Sequence, residues 1–100
     1  MSLFILFSNK KISRDFDLIR QIRRASVPIS SNIAEGFKRN TDKEFVYFLY
    51  VAKASAGEVR SQLYLANDLN YINNDDFNQL KEKVAEISRL IGGLIKYLKK

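Results

Sequence analysis

From Phe77 to Leu98 the apolar residues recur at every third or fourth position: Phe77, Leu80, Val84, Ile87, Ile91, Leu94 and Leu98. That spacing is the a/d seam of an amphipathic helix and predicts one over about residues 73–99. Asn73 can cap it, Asp75 and Asp76 suit the positive end of its dipole, and Ile72 can staple to Phe77. Lys96, Lys99 and Lys100 suit the opposite end. Gly92 and Gly93 interrupt the run. Each costs about 1 kcal/mol relative to Ala inside a helix, so a packing reason for small residues is expected there.

A second periodic run follows Thr41-Asp42-Lys43-Glu44, a capping-box sequence. Phe45, Phe48, Leu49, Ala52, Ser55, Ala56, Val59, Leu63, Ala66 and Leu69 keep a helical period and predict a helix over about 41–70. Its middle, Ala54-Ser55-Ala56-Gly57, is a patch of small side chains that would let another helix approach closely. A third run, over about 13–38, has Leu18, Ile22, Ala25, Ile29 and Ile33 on its apolar face. Pro28 lies inside it, removes the hydrogen bond to the Arg24 carbonyl and is expected to kink it.

The connections near 38–41 and 70–73 are short, which makes neighbouring helices antiparallel. No stretch alternates with period two over a strand's length, and no Asn-Gly or Asp-Gly hairpin signal occurs. Residues 2–9 add an apolar fragment of a further helix. The pattern thus predicts an all-α chain, with residues 1–100 forming a single helical-bundle domain.

The composition, 46% hydrophobic and 28% charged, is that of a folded domain rather than a disordered one. Cys and His are both absent, which removes thiol chemistry, disulfides, the commonest general base and the commonest metal ligand. No Gly-rich phosphate loop or paired catalytic carboxylates appear, so no catalytic residue, cofactor or metal site is expected. The apolar run at residues 3–7 is shorter than a signal core, and a membrane span needs about 20 residues. A cytoplasmic protein without a membrane anchor is expected.

The net charge of +6 is unevenly placed. Residues 1–43 hold nine Lys/Arg against four Asp/Glu, residues 44–80 two against five, and residues 81–100 six against two. Two basic ends flank an acidic middle. This is either a set of solvated helix faces or a field that attracts phosphate or a complementary subunit.

Gln21-Ile22-Arg23-Arg24-Ala25 and Ile29-Ser30-Ser31-Asn32-Ile33-Ala34-Glu35-Gly36 are more specific than any periodicity. With Lys43-Glu44-Phe45, Phe48-Leu49, the small patch through Glu58 and the run from Leu63 to Leu69, they resemble the four-helix bundle proteins encoded in intervening sequences of 23S ribosomal RNA genes, also called S23-type proteins. The resemblance covers about residues 12–100. It implies an antiparallel up-down four-helix bundle, here with a shortened first helix, assembled as a homo-oligomer, specifically a homopentamer. It also implies kinship with the accessory protein of diversity-generating retroelements, a basic pentamer that binds nucleic acid and a reverse transcriptase. The family has no established enzymatic activity. Two departures stand out: the first helix is a stub over about residues 2–9, and Ser30 stands where many members carry their proline.

Lys10, Lys11, Arg14, Arg20, Arg23, Arg24, Lys38 and Arg39 are the candidate contacts to RNA or DNA, with Arg20, Arg23 and Arg24 on one broad helix face. A pentamer would carry about +30 from sequence charge, a field able to steer polyanions. The competing reading is salt bridging, for instance to Glu35, Glu44 or Glu58. Asn32, Glu35 and Gly36 read as structural: the first two hydrogen-bonding or capping across helices, the glycine permitting close approach. Tyr47, Tyr50, Tyr64, Tyr71 and Tyr97 could stack on bases or cover helix interfaces. The expected function is a non-enzymatic, oligomeric scaffold that binds nucleic acid. The alternative is a protein-interaction module without direct nucleic-acid contact.

Overall fold

The computed structural model describes residues 15–100. Three helices account for nearly all of them: α1 (Phe16–Phe37), α2 (Asp42–Asp68) and α3 (Asn74–Leu98). No strand occurs among the described residues. The helix expected over 2–9 and the expected start of α1 near Ser13 lie outside them.

Each helix begins on a side-chain cap. Asp15 Oδ1 accepts from Leu18 N at 2.9 Å, Thr41 Oγ1 from Glu44 N at 3.2 Å, and Asn73 Oδ1 from Asp76 N at 2.7 Å. Each satisfies one of the N–H groups that a helix start leaves unpaired. The Thr41 hydroxyl also donates to the Glu44 carboxylate at 3.4 Å, so the capping box closes through side chains. Helix α2 ends on a left-handed residue, Asn70, with φ 58°. Asn70 N donates to Asn67 O at 3.0 Å and Tyr71 N to Ala66 O at 2.9 Å. This 5→2 and 6→1 pair is the Schellman arrangement, and it turns the chain so that Ile72 enters the core.

Helix α2 is the middle helix. It packs along both α1 and α3, which scarcely approach each other. Leu49, Ala52, Ala56, Val59, Leu63 and Ala66 of α2 are almost wholly buried, against Leu18, Ile22, Ala25 and Ile29 of α1 on one side. Helix α3 contributes Phe77, Leu80, Val84, Ile91 and Ile95. Its buried face differs from the seam expected from sequence. Ile87, Leu94 and Leu98 are only half-buried, and Ile95 takes the place of the last two. A straight helix drifts about 20° per heptad from a 3.5-residue repeat, so over three heptads the seam rotates by about 60°.

Helix α1 runs through Pro28 without a break. Two side chains bond back onto its carbonyls nearby: Ser26 Oγ donates to Ile22 O at 2.8 Å and Asn32 Nδ2 to Pro28 O at 2.7 Å. Among the described residues, Asn32 therefore serves its own helix and does not bridge to another.

Candidate nucleic-acid interface

The antiparallel fold turns the three sequence blocks of charge into a polarity along the bundle. The end of α1, the start of α2 and the end of α3 lie together. Residues 27–55 and 87–100 make up that half and hold eight Lys/Arg against three Asp/Glu. The opposite half, residues 15–26 and 56–86, holds six against eight. The described bundle thus has a basic end and a weakly acidic end, a distinction that the linear charge blocks conceal.

Of the eight expected contact residues, Lys10, Lys11 and Arg14 lie outside the described residues. Arg20 forms an ion pair with Asp17 one turn away, both largely exposed. Such exposed pairs are worth little and leave the guanidinium accessible. Arg23 and Arg24 are exposed on α1 beside Val27, which is 63% exposed. Lys38 and Arg39 sit at the α1–α2 turn, where both meet Glu35, at 3.9 Å and 2.7 Å. The Arg39 guanidinium also lies over the Phe48 ring, 4.7 Å from its centroid. The fold therefore does not gather the five described candidates into one patch. It separates an α1 group, at 20–24, from a turn group, at 38–39, whose charge is partly answered by Glu35.

Of the signature residues, Asn32 and Glu35 were both expected to bond across helices, and among the described residues both bond within their own helix or turn. Gly36 is buried, and a Cβ there would lie 2.6 Å from Phe45 Cδ1 and 3.3 Å from Phe48 Cβ. Only glycine lets α1 meet α2 at that point. Among the described residues, Glu35 pairs with cations of its own turn and not across helices.

Sequence reasoning missed one basic feature of the described residues. A groove of about 490 Å³ between α2 and α3 is lined by Tyr50, Lys53, Gly92, Ile95, Lys96, Lys99 and Lys100. No acidic residue lines it. Lys99 Nζ donates to Tyr50 Oη at 3.4 Å. Lys96, Lys99 and Lys100 were legible as companions of the carbonyl end of α3. Lys53 belongs to them only in three dimensions, more than forty residues away along the chain.

The tyrosines divide in role. Tyr64 packs edge-on against Phe77 at 5.1 Å, and Tyr71 donates to Asp15 at 3.2 Å. That bond foremost, then burial and the nearby carboxylate charge, hold the Tyr71 phenol above its usual range. Tyr47 and Tyr97 are 63% and 64% exposed. Among the described residues no three acidic, His or Cys side chains converge as a metal site, and no helix is long and apolar enough to cross a membrane.

Comparison with known proteins places this architecture. No curated protein matches the chain. A protein of unknown function from the S23 ribosomal protein family of Bacteroides thetaiotaomicron, known from a crystal structure, superimposes with a TM-score of 0.84 at 26% identity, over 94% of this chain and 85% of that one. The profile of the 23S rRNA-intervening sequence proteins matches residues 2–93, taking in all three helix starts and the Gln21–Gly36 signature region. The chain belongs to the 23S rRNA-intervening sequence protein family.

Proposed function

We propose that this protein is a non-enzymatic scaffold, an associating helical bundle that binds RNA or DNA through basic surfaces with little reading of base sequence. The segregation of charge along the bundle carries this reading. Eight cations against three anions in one half make a field that attracts a phosphate backbone, and repetition of that half in an oligomer would multiply it. A chain with neither His nor Cys also lacks the usual means of acid–base and thiol catalysis.

The same proposal includes a fourth, short helix from residues 2–9. A middle helix flanked by two that scarcely meet is the pattern of three consecutive members of an up-down bundle, with one corner left for a fourth. A homopentamer and a protein partner such as a reverse transcriptase follow from the family resemblance, a cytoplasmic location from the short apolar run at residues 3–7, and all three belong to the proposal. It requires no metal and no cofactor.

Fluorescence anisotropy with labelled RNA and DNA tests the binding. Affinity should fall steeply with salt as counterions are released; absent or salt-insensitive binding contradicts it. Light scattering tests the assembly, which should weigh several times the 11.6 kDa of one chain.

One observation favours the second reading, a protein-interaction module. The outward face of α2 exposes Tyr47, Tyr50, Ala54, Gly57, Ser61 and Leu65, large residues at its ends and small ones between. That reading requires Tyr47→Ser with Leu65→Ser to abolish capture of a partner while Arg23→Glu is tolerated.

A further inference from the structure

Gly92 has no packing reason inside the described fold. A Cβ built there meets only Lys53 Nζ, at an ordinary 3.5 Å, and one on Gly93 meets nothing within 4 Å. Glycine inside a helix costs about 1 kcal/mol relative to Ala. The residue at 92 forms part of the α2–α3 groove, and its missing side chain keeps the groove open.

The charges around that opening point the same way. Lys96, Lys99 and Lys100 could be explained by the negative carbonyl end of α3 alone. Lys53 could not: it lies mid-way along α2, at no helix end, and the fold brings it to the groove opposite them. None of the four makes an ion pair among the described residues, and no acidic side chain lines the groove to neutralise them. Four like charges around one opening repel each other and favour an anion between them. Buried Ile95 and the glycine leave room for something slender, and lysine ammoniums bind phosphate as point charges.

We propose that the α2–α3 groove is a phosphodiester-binding site, in which Lys53 on one wall and Lys96, Lys99 and Lys100 on the other hold a segment of nucleic-acid backbone over Gly92. This assigns the nucleic-acid reading above, on which it rests, to a place that is separate from Arg20, Arg23 and Arg24.

The test uses the whole chain and a fluorescein-labelled oligothymidylate, with anisotropy titrations between about 50 and 200 mM salt. Replacing Lys53, Lys96, Lys99 and Lys100 together by Gln should weaken binding at low salt. It should also lower the slope of log affinity against log salt by about 0.7 for each phosphate that is no longer neutralised. Gly92→Gln should fill the groove without changing the charge. It should weaken binding several-fold at nearly unchanged slope, while the protein melts no lower than wild type because a good helix former replaces glycine. Replacing Arg20, Arg23 and Arg24 together by Gln should cost less than the lysine variant. Wild-type affinity and slope in the lysine variant overturn the groove and leave the general reading standing. So does wild-type binding by Gly92→Gln, which would mean a diffuse lysine field. A wild-type chain that binds no oligonucleotide at any salt overturns both.

Discussion

Tyr71 Oη donates to Asp15 Oδ2 at 3.2 Å, tying the turn after α2 to the residue that starts α1. The other oxygen of the same carboxylate accepts from Leu18 N and caps the helix. One aspartate thus does two tasks at the end of the bundle opposite the basic groove. Replacing Asp15 by Ala removes both and should cost about 1 kcal/mol for the cap alone. Tyr71→Phe should lower the melting temperature by less, because the cap survives. Denaturant titrations of the two variants check the order.

The same contact predicts an alkaline limit. The folded phenol of Tyr71 holds its proton more tightly than a free tyrosine, whose ordinary value is 10.0. Its contribution is therefore complete below that pH and is lost as the pH rises through the higher folded value. Wild type should lose stability above about pH 10 more steeply than Tyr71→Phe, which has no such proton to lose. Equal slopes in urea melts across that range would contradict the assignment.

Two glycines should respond in opposite directions. Gly36→Ala drives a methyl against Phe45 and Phe48. Overpacking of this kind costs about 1–3 kcal/mol, against about 1 kcal/mol gained in helix propensity, so the variant should be less stable by up to about 2 kcal/mol. Gly93→Ala meets nothing and should gain about 1 kcal/mol. Equilibrium unfolding of the two side by side measures the difference.

Asn70 should tolerate Gly and reject Ala. Its φ of 58° is left-handed, a region that costs most L-residues about 1–2 kcal/mol. Asn70→Ala should lose about that much, and Asn70→Gly should be neutral or better. Thermal melts check both.

The helices were legible because their signals are local. Thr41 and Asn73 were recognisable caps, and both perform that role. The expected ranges 41–70 and 73–99 differ from Asp42–Asp68 and Asn74–Leu98 by one or two residues at each end. Asp15 was not read as a cap because the expected run, over about 13–38, already included it. Ile95 was missed as a core residue because a strict heptad drifts off a straight helix. Gly92 and Gly93 looked like packing residues, yet neither is in tight contact within the described fold. The basic groove was hidden for a different reason. No periodicity within one helix connects Lys53 to Lys96, Lys99 and Lys100; only the antiparallel pairing of α2 with α3 does. The candidates Arg20, Arg23 and Arg24 stand apart from Lys38 and Arg39 for a similar reason, since α1 carries its two basic clusters to different ends of the bundle.

The central claim is that copies of this chain associate and carry nucleic acid on basic surfaces. Sedimentation velocity with a fluorescently labelled RNA tests both halves in one run. At low salt the label should move with a protein species several times heavier than 11.6 kDa, and at high salt it should separate from an assembly of unchanged mass. A single 11.6 kDa species with free label at every salt concentration would contradict the account.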